Sequence, residues 1–265
     1  MHNAARETAT RICRRFGQRK LNRPPALGRT PLDYHGGMGI YRTGEHPCGY
    51  YAERVARDLV LDPRDPVLAD AYPTALAQGF RRSGGHVYRP NCPACRACVP
   101  VRLCVRDFRP DRSQRRCLRD NADVATRMVP ALRTDENFAL YRRYLQARHG
   151  DGPMADTDED DFDEFVASPW SPTRFMELRS EGRLLGVAIT DVVPGALSAV
   201  YTIFDPDERA RGLGTFAILK QIEFAQRTSC EHLYLGYWID NHPKMHYKAR
   251  FKPLQALDRT GWHDL

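Results

Sequence analysis

An α+β fold is predicted, with a larger domain over residues 109–265 preceded by a smaller cysteine-containing α/β domain over residues 38–108. Three features carry this reading. Residues 197–226, LSAVYTIFDPDERARGLGTFAILKQIEFAQ, have the pattern of a strand, a glycine-bearing loop and a helix. Short β-branched or apolar runs recur on either side, divided by Gly and Pro punctuation. At Asp107–Asp111 the composition turns abruptly basic, which marks a domain boundary.

The elements follow in order. Residues 1–37 are Arg-rich, poor in large apolar side chains and broken by Pro24-Pro25 and Gly36-Gly37, as expected of a disordered basic arm. Met38 offers an alternative start, while Glu7 and the lack of an amphipathic face speak against an organelle leader. His46–Tyr51 reads as a turn and Arg54–Leu61 as a strand or short helix. Val67–Gln78 suits a helix that Pro73 ends or kinks, closed by Gly79. Phe80–Pro90 makes two extended pieces about Gly84-Gly85. Val99–Val105 is a strand that Pro100 places at a sheet edge. Ser113 is the expected cap of a basic helix. Thr134 caps a helix reaching His149, with Asp135 and Glu136 in its first turn. Asp151–Asp163 is acidic and flexible, and Phe162–Ala167 is a short helix. Arg174–Leu178 and Arg183–Val192 pair about Glu181-Gly182, and Pro194-Gly195 turns the chain into the central strand. After the central helix, Thr215–Gln226, come a strand at His232–Leu235 and a short helix at Lys244–Arg250.

Composition bounds the function. The 265 residues suffice for a real core. Eight cysteines are too few for a disulfide scaffold in a chain of this length. No apolar run approaches the roughly 20 residues that span a membrane. The expected compartment is a reducing cytoplasm, with no membrane partner. A formal charge of +7 with a pI near 9.1 points to an acidic partner, nucleic acid first; a merely basic enzyme has the same charge.

Within the central stretch, Arg209-x-x-Gly212-x-Gly214 leads into the helix. Glycines let backbone N–H groups approach a phosphate, and the helix start favours negative charge. An ordinary strand–turn–helix with solvated arginines has the same spacing. The segment resembles the R/Q-x-x-G-x-G/A junction of the N-acetyltransferase-like (GNAT) fold, which holds the pyrophosphate of an acyl carrier. The order of strands, phosphate loop, helix, strand and helix resembles that fold as well.

Residues 45–265 resemble the arginyl-tRNA–protein transferase family. The resemblance lies in His46-Pro47-Cys48-x-Tyr50, Gly79-Phe80-Arg81-Arg82-Ser83-Gly84, Tyr88-Arg89-Pro90, the Cys92/Cys95/Cys98 triplet and Arg112-Ser113-Gln114-Arg115-Arg116. It continues through Leu197–Tyr201, Phe204–Asp207, Tyr234–Ile239 and Lys244-Met245-x-Tyr247-Lys248. It implies transfer of an aminoacyl group from tRNA to a protein's N-terminal Asp or Glu, which marks that protein for degradation. The compact bacterial form of the resemblance points to leucine as the transferred group, with arginine as the near rival. The arginyl branch often carries C-G-Y-C near its start, where this chain has Tyr51.

Under this resemblance the donor is an activated ester and the acceptor an α-amine with a pKa of about 7.7–8.0. Such chemistry needs positioning and a place for the developing oxyanion more than a strong base. Tyr247 is the candidate proton donor to the leaving ribose oxygen; a packing role fits it too. Arg81, Arg82, Lys244 and Lys248 are the candidate readers of the acceptor's side-chain carboxylate. Arg112, Arg115, Arg116 and Arg119 form a basic helical face for the tRNA backbone, and Arg209 and Arg211 with Gly212 and Gly214 would hold its terminal phosphates. The reaction requires no cofactor. Cys92, Cys95 and Cys98, with Cys48 as a fourth thiolate, could bind structural zinc or an iron–sulfur cluster, or remain free thiols. Two rivals of other classes stay open: a coenzyme-A-dependent acetyltransferase and a zinc-bearing RNA-binding module without catalysis.

Overall fold

The computed structural model describes residues 38–149 and 157–265. The basic arm expected over 1–37, and most of the acidic stretch between the third and fourth helices, lie outside the described residues. The smaller module contains β1 (Ile40–Arg42), β2 (His46–Pro47), β3 (Val55–Ala56), β4 (Asp58–Leu61), α1 (Leu68–Ala77), β5 (Arg81–Ser83) and β6 (His86–Pro90). Strands β1, β4, β6 and β5 form one antiparallel sheet in that order, and β2 pairs with β3. Helix α1 continues through Pro73 to Ala77, so the proline neither ends it nor divides it. Its Leu68, Tyr72, Ala75 and Leu76 are buried and pack on Leu61, Phe80 and Val87.

The larger unit is one eight-stranded sheet. Its elements are β7 (Val99–Cys104), α2 (Arg112–Asp120), β8 (Ala125–Pro130), α3 (Asp135–His149), α4 (Glu159–Val166), β9 (Thr173–Ser180), β10 (Arg183–Val193) and β11 (Ala196–Phe204). A 3-10 turn (Pro206–Arg211), α5 (Leu213–Arg227), β12 (His232–Trp238), a second 3-10 turn (His246–Arg250), β13 (Leu254–Leu257) and β14 (Trp262–Asp264) complete it. The strand order is β14-β13-β7-β12-β11-β10-β9-β8. Helix α5 packs on one face, where Phe216, Ala217, Leu219, Ile222 and Ala225 meet Leu103, Leu197, Leu233 and Leu185. Helices α3 and α4 cover the other, where Tyr141, Tyr144, Phe162 and Phe165 meet Phe175, Val187 and Ile203. With both faces covered, β10 is apolar nearly throughout. The single acid in its apolar run, Asp191, is fully buried.

Strand β7 corrects the boundary expected near residue 108. It lies inside the large sheet, between β13 and β12, and Val101, Leu103, Val105 and Phe108 pack beneath α5. Pro100 is tolerated there because it pairs with Tyr237 of β12, while the β13 ladder stops at Val101.

All neighbouring pairs in this sheet are antiparallel except β11 and β12. These run parallel through three residue pairs, Ala196–His232, Leu197–Leu233 and Ser198–Tyr234. Both strands then continue, to Phe204 and Trp238, without further pairing. The sheet therefore splits beyond Ser198, leaving backbone N–H and C=O groups of two strands available inside the molecule. The split lies between the strand that enters the glycine loop and the strand that follows α5.

Candidate active site and basic face

The loop at the split is built from its carboxylates. Buried Asp205 caps the 3-10 turn by accepting from the Asp207 amide (3.1 Å), and pairs with Arg143 and Arg183 at 2.9 and 3.1 Å. Gly212 then takes a left-handed conformation (φ 64°) and opens α5. A helix start leaves its first amides without intrahelical acceptors, so the loop presents donors and a positive dipole end. A pocket lies here, lined by Arg116, Arg211, Gly212, Thr215, Tyr247 and Arg250, among others. Gly214 sits one residue inside the helix, its Cα side against the Phe204 ring. Arg209 is exposed. Arg211 departs from the expectation: its guanidinium is held by Asp123 (2.8 Å) and Glu208 (2.9 Å). Hydrogen bonds from Arg211 and Ser180 in turn hold the Asp123 carboxyl down to about 2. Arg211 clamps the loop and is not a free anion reader.

Helix α2 brings the basic face to that loop. Its cap is Asp111, which accepts from the Gln114 amide (2.8 Å), while Gln114 Oε1 accepts from the Asp111 amide (2.9 Å). The expected cap, Ser113, instead lies inside the first turn and donates to Asp111. Buried Gln114 also donates to the Arg250 carbonyl (3.0 Å), and buried Asn121 donates to the carbonyl of Arg211 (2.8 Å). These bonds fix the helix against both sides of the pocket. Arg112, Arg115, Arg116 and Arg119 all remain exposed, although Arg115 also donates to the Pro110 carbonyl.

The adjacent arginines of β5 part company, because successive strand residues face opposite ways. Arg82 turns into the core. Its side chain is 0% exposed and forks onto Asp191, with Nη2–Oδ1 and Nε–Oδ2 both 2.8 Å. It donates as well to the carbonyls of Gly84 and Val166 and to Thr173, while Tyr72 and Thr173 donate to Asp191. Arg82 thus cannot read an acceptor. The missed signal is Asp191, a lone acid in an apolar run, which demands a buried cation.

Arg81 turns into the split. Its Nη2 donates to the Ala199 carbonyl (2.7 Å), one residue past the last β11–β12 pair. On β12, its guanidinium lies so close to Gly236 that a Cβ there would come within 3.2 Å. Gly236 also has φ 82°, so the position needs glycine on both counts. Arg81 is 7% exposed, yet its Nη1 is buried and makes no hydrogen bond. Lys248 enters the same place from the second 3-10 turn: its Nζ donates to the carbonyl of Tyr237, the residue after Gly236. Two basic side chains, Arg81 and Lys248, thus meet neighbouring residues of one strand. Tyr247 keeps 41% of its surface exposed and lines the pocket at Gly212, and Lys248 Nζ lies 5.8 Å from the centre of its ring. Lys244 is exposed on the preceding loop, outside the recess.

The four cysteines lie in one neighbourhood. Burial, then the thiols of Cys48, Cys92 and Cys95, push Cys98 up to about 12. Cys95 is shifted down, by the Ala97 amide and by Arg54, whose Nη1 lies 3.4 Å from its sulfur. Cys92 faces the Arg57 carbonyl. Among the described residues no group of three or more His, Cys, Asp or Glu side chains is placed to hold a metal ion.

A helix-covered sheet split beside a glycine loop, with a basic helix fixed against it, is the architecture of an acyltransferase-like domain. The comparisons agree. Residues 46–116 match the model of the arginine-tRNA-protein transferase N terminus, and residues 136–258 match that of its C terminus. Aspartate/glutamate leucyltransferase of Stenotrophomonas maltophilia (strain K279a) is 58% identical over 233 residues, covering 86% of this chain and 93% of that protein. Those of Xanthomonas euvesicatoria pv. vesicatoria (strain 85-10) and Xylella fastidiosa (strain 9a5c) are 57% and 53% identical. They cover 88% and 86% of this chain, and 95% and 92% of their own lengths. The chain belongs to the arginine-tRNA-protein transferase family. Among the described residues no helix is long and apolar enough to cross a membrane.

Proposed function

We propose that this protein transfers leucine from leucyl-tRNA to the α-amine of proteins beginning with Asp or Glu, marking them for degradation. Family membership and the names of relatives more than half identical support the reaction class and the leucyl group. The exposed arginines of α2 suit the tRNA backbone, and the pocket at Gly212, in the loop that carries Arg209 and leads to Gly214, suits the phosphates of the acceptor stem's end. Tyr247, which lines that pocket, would protonate the leaving ribose oxygen as the amine attacks the ester carbonyl.

The observation that carries the acceptor side is Arg81 Nη1, a buried donor without a protein partner in the sheet split. Native proteins rarely leave such a donor unsatisfied, and a ligand carboxylate is its natural acceptor. Lys248 borders the same recess, and Lys244 stands at its outer side. Arg81→Met tests this assignment. A charged hydrogen bond is worth about 1.5–3 kcal/mol, so kcat/KM for Asp- and Glu-starting peptides should fall roughly 10- to 150-fold. Affinity for tRNA should stay the same. Equal losses in peptide use and tRNA binding would reject Arg81 as the carboxylate reader.

A further inference from the structure

Lys248 has a surrounding that its role as a neighbour of the acceptor does not explain. It is 6% exposed. Its Nζ donates to the Tyr237 carbonyl and approaches Met245 Sδ at 3.8 Å, and among the described residues no carboxylate pairs with it. The groups facing it are the Arg81 guanidinium from β5, the Cys98 thiol from the loop before β7, the Tyr237 backbone from β12 and the Tyr247 ring of its own turn. Burial penalises an ammonium, and a second cation close by penalises it again. Arg81 cannot yield its proton, so the strain falls on the lysine. Burial first, then Arg81, bring Lys248 down to about 7, with Cys98 acting weakly the other way.

The acceptor needs such a group. Its α-amine titrates near 7.7–8.0, so only roughly a tenth is neutral at pH 7, and an ammonium has no lone pair for attack. With the side-chain carboxylate on Arg81 Nη1, the α-nitrogen, three bonds from the carboxylate carbon in Asp and four in Glu, stays near the same recess. We propose that Lys248 Nζ, as the neutral amine, is the base that takes the proton from the acceptor's α-ammonium, an assignment that rests on the acceptor site described for Arg81. The proton passes to Nζ, leaving Lys248 as ammonium and the α-amine neutral. That nitrogen then forms a bond to the ester carbonyl carbon. The carbon–ribose oxygen bond breaks, and the nitrogen's second proton is lost as the ribose oxygen gains one through Tyr247. The Lys248 proton returns to solvent as product leaves. Ammonium and ester thus give amide, alcohol and one released proton, without any co-reactant.

Single-turnover leucyl transfer from leucyl-tRNA to an Asp-starting peptide tests this, for the wild type, Lys248→Met and Lys248→Arg between pH 6 and 9. Because roughly a tenth of the acceptor amine is already neutral at pH 7, taking its proton adds at most about tenfold, which is the loss expected in Lys248→Met at pH 7. Its rate should keep rising with pH until the peptide's own amine is neutral, and added small primary amines should restore part of it. Lys248→Arg, permanently charged, should be no better, and both variants should bind tRNA as the wild type does. Wild-type speed in Lys248→Arg would overturn the proposal in favour of a fixed positive charge; an unchanged pH profile in Lys248→Met would overturn it outright. Should neither variant fold, the wild type decides with two saturating acceptors whose amines titrate a unit apart. An inflection near 7 common to both supports Lys248, and one that moves with the acceptor overturns it. No transfer by the wild type itself overturns the leucyltransferase reading along with it, whereas failure confined to the variants' pH behaviour touches Lys248 alone.

Discussion

Arg82 and Asp191 form an ion pair with no solvent exposure on either side chain, so removing the cation strands a carboxylate in the core. Breaking a buried pair from one side costs about 3–5 kcal/mol. Arg82→Met should therefore lower the thermal midpoint by roughly 6–20 °C at this chain length, measured by circular dichroism. A selective loss of acidic acceptors with wild-type stability would contradict the burial. Lys248 makes a second, signed prediction. Its folded pKa, about 7, lies below the ordinary lysine value of 10.5, so between those two values the unfolded chain holds the extra proton. Stability then rises with pH across that window. Lys248→Met should lose that rise when denaturation curves at pH 7 and pH 10 are compared with the wild type. Sequence located the Arg81-Arg82 pair but could not say which arginine faces the core. That depends on the parity of β5 against the whole fold, and only Asp191 hinted at it.

Helix α2 and the glycine loop act as one element. Gln114 and Asn121 tie the helix to Arg250 and Arg211, so the exposed arginines stand in fixed register with the loop. Arg115→Ala should weaken tRNA binding and flatten the dependence of log affinity on log salt by about one unit; an unchanged slope in filter binding would exclude a phosphate contact. Gly212→Ala should cost about 1–2 kcal/mol, since φ is 64° there, and should weaken tRNA binding more than that of a control such as Gly182→Ala in the β9–β10 turn. The loop and α5 were readable because glycine spacing and a long apolar helix are strong local signals. Arg211 was not, because its partner Asp123 is 88 residues away in sequence. The β13–β14 hairpin escaped notice too, its strands being only four and three residues long.

Across the whole molecule, the proposed site draws on both modules. The smaller one sends Arg81 between β11 and β12, and the larger one supplies Lys248, Tyr247 and the loop. Tyr72 and Trp262 bind them further, donating to Asp191 and to the Ala77 carbonyl. Because β7 belongs to the large sheet, a cut at residue 108 would remove an interior strand as well as Arg81. The account places an aminoacyl ester from a tRNA on the basic face beside an acidic N-terminus in the sheet split. The most direct measurement offers the protein labelled leucyl-tRNA and labelled arginyl-tRNA in separate reactions with one Asp-starting peptide. Label should reach the peptide from leucyl-tRNA; transfer from arginyl-tRNA alone, or from neither donor, would contradict the account.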